Sequence, residues 1–378
     1  MFLPRGLHRL GYLPLRHQYR TMSTPPAAFW TAPSPALYDF RSDTVTTPTA
    51  AQYLALPSAP IYDAILSPLP LTHRTPLTTA LGKPASLFVS SGTLSNLLAL
   101  RALLATPPPH TILCDARSHI FNYEAGNIAT VWGIQLIPIT PSSFHLTLSD
   151  IQKHWIDHNY DIHCAPTPVV ALENTLGTGR IHPLASINEI ADWVHHKGGK
   201  IHLDGARIWH AAEATGIPVS KLVEKVDTVS VCCSKGLGAP VGGFLVGDEI
   251  TLQQARKLRK MLGGAIRQEG VLTAMCEAAY REVVMDGKLA EVHRVAKELE
   301  DVWRGEGGEV SEVVESNMLF LEMGEEGMGG VWEEVAEEEG VQVTRGGRVV
   351  VHFQNVGGRG RLEAVMREFW RRWRGEER

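Results

Sequence analysis

Short apolar runs in this chain repeatedly stop on a charged residue. The runs 111–114, 169–172 and 201–203 end at Asp115, Glu173 and Asp204, and 229–233 leads into Ser234-Lys235. A fifth, 86–89, meets Ser90-Ser91-Gly92-Thr93 and then a helical pattern of Leu94, Leu97, Leu98 and Arg101. Each run has strand length, and each charge falls where the chain leaves a sheet. Between Glu173 and Asp204, residues Leu184, Ile187, Ile190, Ala191 and Val194 recur at helical spacing, with Gly198 as a stop. Strands alternating with helices imply right-handed crossovers and a mostly parallel sheet. Ligands of such sheets bind beyond the carboxyl ends of the strands, where these charges stand.

Lys235 is followed by Gly236-Leu237-Gly238-Ala239-Pro240, so it projects from a sheet end into a turn. An amine there and a carboxylate at Asp204 suit pyridoxal phosphate (PLP). The lysine would form a Schiff base, and the aspartate would keep the pyridine nitrogen protonated. Taken alone, Asp204 also reads as a turn-forming residue. Gly92-Thr93 opens a helix directly after a strand, where free N–H groups favour a phosphate, or where Thr93 merely caps the helix. Arg207, three residues past Asp204, and Arg348, before the apolar run 349–351, are candidates for a substrate carboxylate, since guanidinium binds carboxylate as a fork. His119 lies just beyond a strand end and could stack on a flat cofactor or act as a base. His195-His196 closes a helix, where positive charge is favoured without catalysis.

The 378 residues allow about two domains. A formal net charge of −5 argues against a nucleic-acid partner. No apolar run reaches the ~18 residues of a membrane span. Five cysteines without framework spacing read as reduced thiols of an intracellular protein. Residues 1–37 carry Arg5, Arg9, Arg16 and Arg20 and no acid, so they read as a disordered extension or a mitochondrial targeting segment. The expected organisation is a large domain over 38–275 and a smaller α/β domain over 276–378, where Gly and Glu become dense.

Together these motifs resemble the threonine aldolase family. The matching stretches are Phe40-Arg41-Ser42-Asp43-Thr44, Ser91-Gly92-Thr93, Ser118-His119-Ile120-Phe121, Leu172-Glu173-Asn174-Thr175, His202-Leu203-Asp204-Gly205-Ala206-Arg207, Ser234-Lys235-Gly236-Leu237-Gly238 and Gly263-Gly264-Ala265-Ile266-Arg267. The resemblance implies α/β architecture of PLP fold type I, the aspartate-aminotransferase-like fold. It implies Lys235 as Schiff-base lysine and Asp204 as ring-nitrogen partner. His119 would stack on the ring near the substrate hydroxyl, with His163 a second histidine there. Ser42, Arg207 and Arg348 would grip the carboxylate. Gly92, Thr93, Ser234 and Arg267 would be cofactor contacts, Arg267 reaching across from a neighbouring subunit of a homotetramer or homodimer. Residues 61–70 depart from the family's pattern.

The expected activity is cleavage of a β-hydroxy-α-amino acid such as L-threonine or L-allo-threonine to glycine and an aldehyde. The alternatives are a PLP-dependent alanine racemase of the same family and a non-catalytic PLP-binding protein. The expected location is cytoplasmic, with mitochondria the alternative.

Overall fold

The ten residues between Cys232 and Gly243 explain a feature of the sheet that apolar patterning does not reveal. Parallel neighbours need a crossover of a dozen or more residues, so a return this short gives antiparallel pairing. In the computed structural model, which describes residues 33–59, 75–157 and 161–375, that return joins two strands of a seven-stranded sheet. The strands are β1 (Ala85–Val89), β2 (Thr111–Asp115), β3 (Gln135–Ile139), β4 (Val169–Glu173), β5 (Lys200–Asp204), β6 (Thr228–Cys232) and β7 (Gly243–Gly247). Their order is β1-β7-β6-β5-β4-β2-β3. β7 runs antiparallel to both β1 and β6, while β6, β5, β4, β2 and β3 are mutually parallel. Gly243 is required in β7, because a Cβ there would stand 2.1 Å from the Val231 carbonyl oxygen. β3 lies at an edge, the place in a sheet that tolerates Pro138.

Helices α1 (Gly92–Ala102), α2 (Leu184–His196), α3 (Ile208–Thr215) and α4 (Glu249–Met261) accompany this sheet. α2 buries Ile187, Ile190, Ala191 and Val194, the face its spacing predicts, and Gly198 ends it in the left-handed conformation at φ +78°. Further on, α5 (Lys288–Gly305), α6 (Met328–Glu338) and α7 (Arg359–Trp373) pack with a two-stranded sheet of β8 (Met318–Phe320) and β9 (Arg348–Val350). Their shared core centres on Trp303, Trp332 and Phe369. The sheet core runs through Leu289 and this second core begins at Val292, both within α5. Residues 34–378 are one compact unit.

The N-terminal segment stitches the two cores together. Phe40 is buried in the C-terminal core, and its N–H donates to the Gln342 carbonyl at 2.9 Å. The Phe40 carbonyl accepts from Val350 at 2.8 Å. The next residues, Ser42-Asp43-Thr44, are thereby delivered to the end of the large sheet. Among the described residues no helix is long and apolar enough to cross a membrane. All five cysteines are free. The 61–70 departure and nearly all of the 1–37 extension lie outside the described residues.

The second core makes a direct stability test. Trp332 is fully buried, so Trp332→Ala should destabilise the protein by about 3–5 kcal/mol in chemical denaturation, the usual effect of emptying a large aromatic site. A loss below about 1 kcal/mol would mean that this core does not hold the C-terminal elements.

Candidate active site

Because β2, β4, β5 and β6 run parallel, their carboxyl ends share one rim. A cavity of about 320 Å³ opens there, lined among others by Gly92, Thr93, His119, Asp204, Ser234 and Lys235. These six residues come from four separate stretches of sequence. Ser91, not Thr93, caps α1 by accepting from the Leu94 N–H at 3.1 Å, which leaves Gly92 and Thr93 on the cavity wall. Lys235 is presented by a tight turn. The Gly238 N–H donates to the Lys235 carbonyl at 2.8 Å, and Gly238 takes φ +77°, a conformation that favours glycine. A Cβ at Gly236 would lie 2.3 Å from His210 Nε2, so glycine is needed there too.

Asp204 takes up the turn-forming role that its sequence position suggests and has its second oxygen engaged by a buried amide. Its Oδ1 accepts from the Ala206 N–H at 3.0 Å and shapes the turn, while Oδ2 accepts from Asn96 Nδ2 at 2.8 Å. The second hydrogen of that amide goes to Glu124 Oε1, also at 2.8 Å. The same Glu124 oxygen meets His119 Nδ1 at 2.9 Å. The Glu124 bond holds the His119 imidazole above its ordinary pKa, against burial and the Lys235 charge, with Asp204 adding to the rise. The His119 N–H donates to Glu173 Oε1 at 2.5 Å. Glu173 lies opposite Asp204 in the β4–β5 register. Burial, and then the Asp204 charge, push its carboxyl up to about 8.

On the other side, Arg207 forms a bidentate pair with Asp43, Nε to Oδ2 at 2.7 Å and Nη2 to Oδ1 at 2.6 Å. Burial pushes the Asp43 carboxyl up, but the Arg207 guanidinium overrides it and leaves the group well below the usual carboxylate range. Arg348 is near enough to feel this pair. Burial and then the Arg207 charge lower its pKa. Two guanidiniums close enough to repel each other make a place for an anion.

The remaining predicted residues are less central. Ser42 caps the turn Asp43–Val45 and accepts from the Thr44 N–H and hydroxyl at 3.2 and 2.9 Å, while its neighbours Thr44 and Thr46 line the cavity. Arg267 is exposed, on a segment whose Gly264 packs against Leu94 in the first turn of α1. His163 is not brought to the rim. It stands in an exposed turn, its N–H donating to Asp161 Oδ1 at 2.9 Å. The nearby Pro166 carbonyl pairs with Thr111, the first residue of β2, so this turn is at the opposite end of the strands. Sequence reasoning missed Asn96, Glu124 and Asp43 as site residues. Asn96 is four residues after Gly92 on one helix, Glu124 five after His119, and Asp43 sits beside Ser42. Those spacings were the available signal.

A family model described as beta-eliminating lyase matches residues 39–326. The aldolase vrtJ of Penicillium aethiopicum is 38% identical over 90% of this chain and 88% of its own length. The low-specificity L-threonine aldolase of Eremothecium gossypii is 39% identical over 84% of this chain and 83% of that protein. The alanine racemase TOXG of Cochliobolus carbonum is 34% identical over 86% and 85%. Among solved structures, the Leishmania major threonine aldolase superposes with a TM-score of 0.71 at 20% identity, over 88% of this chain and 99% of that one. That likeness bears on the fold, which is fold type I.

The raised Glu173 carboxyl predicts a pH signature. Its folded pKa, about 8, exceeds the ordinary 4.5, so its contribution to stability is complete below about 4.5 and is lost as pH rises through about 8. Glu173→Gln should lose less melting temperature than wild type between those limits. Parallel curves for the two proteins would contradict the assignment.

Proposed function

The chain belongs to the beta-eliminating lyase family, and we propose that it is a PLP-dependent aldolase cleaving L-threonine-type β-hydroxy-α-amino acids to glycine and an aldehyde. The observation that carries this reading is the convergence of Lys235, Asp204, His119 and the start of α1 on one cavity. The donor set fits the cofactor group by group. Lys235 offers an amine for its aldehyde, Asp204 a carboxylate for its ring nitrogen, and the free N–H groups at Gly92 and Thr93 a seat for its phosphate. The His119 imidazole is a flat partner for the ring, and Ser234 and Arg267 are further cofactor contacts in this reading. Relatives with threonine aldolase activity in their names support the substrate class.

When bound, PLP supplies an electron sink for the charge left at Cα as the Cα–Cβ bond breaks. The residues of this chain supply the rest. Lys235 would hold the cofactor through its amine. Asp204 would keep the ring nitrogen protonated by a charge-assisted bond. Arg207 keeps its Nη1 free of Asp43 and, with Arg348, grips the substrate carboxylate, with Ser42 completing that side. This grip sets the angle of the breaking bond, which is a positioning effect. His119 accepts the β-hydroxyl proton at Nε2. Among the described residues that line the cavity, His119 is the histidine available for that task, which supports this reading.

The TOXG relative keeps alanine racemisation as the second reading, in which the Cα–H bond breaks instead. A retained lysine with an intact carboxylate grip argues against a non-catalytic PLP-binding protein. We further propose a homodimer or homotetramer in which Arg267 serves a neighbouring subunit, and a cytoplasmic location with mitochondria as the alternative.

Aldehyde release from L-threonine, L-allo-threonine and β-phenylserine, run beside L-alanine racemisation, tests the reading. Aldehyde and glycine are expected, and D-alanine without aldehyde would replace the aldolase reading by the racemase one. Lys235→Ala should lose the absorbance of the bound cofactor and nearly all cleavage, and full activity in that variant would exclude the site.

A further inference from the structure

Glu124 takes no part in the steps above, yet its side chain is entirely buried beside them. It stands in the turn after the short helix His119–Asn122. Its Oε1 accepts from His119 Nδ1 and Asn96 Nδ2, and its Oε2 from Asn127 Nδ2 at 3.3 Å. The Asn96 carbonyl oxygen meets His202 Nε2 at 3.0 Å.

These bonds have a direction. Were the Asn96 amide reversed, its carbonyl oxygen would face two carboxylate oxygens, a repulsive arrangement. The amide nitrogen therefore points at Asp204 and Glu124, and His202 donates from Nε2. Burial pushes His202 down to about 4, so it is neutral near pH 7, and its Nδ1 accepts from the Thr228 hydroxyl at 2.9 Å. Glu124, an acceptor only, then requires the proton of His119 on Nδ1. The nitrogen left for the cavity is Nε2.

We propose that Glu124 is a positioning residue that locks His119 in the Nδ1–H tautomer and stabilises the imidazolium formed when Nε2 takes the substrate proton. This rests on the reading of His119 as the base. It follows the general logic of a buried carboxylate orienting a catalytic histidine. The other groups facing His119 are Lys235 and Asp204 by charge, Glu173 through the backbone bond, and the Tyr123 ring at 5.7 Å. Glu124 makes the largest contribution among them, and its sign is to raise the imidazole pKa.

Glu124→Gln removes the charge and keeps the shape. The glutamine oxygen can accept from His119 and Asn96, and its amide can turn toward Asn127, whose Oδ1 is buried without a partner. The first readout is the His119 imidazole titration by NMR in cofactor-free protein. Its midpoint should fall by about one unit, the usual effect of losing an adjacent opposite charge. The second readout is kinetics of the PLP-loaded enzyme. There kcat should fall about tenfold or more with KM little changed, and the acid limb of the pH profile should move to lower pH with the midpoint. Ser95→Ala, one residue from Asn96 but bonded to Ser230, should move neither. Should Glu124→Gln fail to fold, the volume-matched Glu124→Met decides by the same readouts. A midpoint equal to wild type would overturn the proposal, because a carboxylate that served only packing would lower the melting temperature and leave His119 untouched. The NMR readout needs no turnover, so an inactive wild-type enzyme would count against the aldolase reading alone.

Discussion

Asp204 and Glu124 would repel each other if nothing stood between them. Their oxygens and the His119 nitrogen all lie within 4.8 Å of one another. The Asn96 amide separates them by giving one hydrogen to each carboxylate. Such groups in a low-dielectric interior interact strongly, so a complete set of bonds fixes the geometry and an incomplete one is costly. The network reaches back through His202 to Thr228 in β6 and forward to His119. The residue proposed to hold the cofactor ring is thus anchored to the buried Asn96 side chain directly, and the residue proposed to move the substrate proton is anchored to it through Glu124. α1 supplies the Asn96 side chain from its second turn and the proposed phosphate seat from its first, so one helix carries both.

The substrate side depends on a different long-range tie. Asp43 reaches the rim because Tyr38 and Phe40 are bonded into the C-terminal elements at Gln342 and Val350. Arg348, at the start of β9, arrives from those elements as well. The bidentate pair of Asp43 with Arg207 offsets the penalty of burying both charges and fixes the plane of the guanidinium. One face of the site therefore belongs to the parallel sheet, and the other is assembled from the first described segment and the C-terminal core. A substrate between Lys235 and the two arginines would touch both.

Much of this was legible in the sequence because strand ends punctuate it. The runs ending at Glu173, Asp204 and Lys235 showed the rim, and the 3.6-residue spacing showed α2. β7 was harder to see. It is bounded by two glycines, lies close behind the Lys235 turn, and its antiparallel direction follows from a short return rather than from any pattern of its own. β3 is an edge strand with a proline and partial exposure, so its apolar signal is weak. Asn96 and Glu124 escaped notice because a buried polar residue on a helix or turn looks like a surface residue until its partners are known, and those partners are up to 108 residues away. His163 failed in the opposite way. A matching residue type close to a strand was placed at the wrong end of that strand, which only the register with β2 reveals.

The central claim is that these rim residues form one PLP site anchored at Lys235. The most direct measurement is to load the protein with PLP, reduce it with borohydride so that any imine becomes a stable amine, and map the modified peptide by mass spectrometry. The account predicts the added cofactor on Lys235 alone. Modification of another lysine with Lys235 intact, or of none, would contradict it.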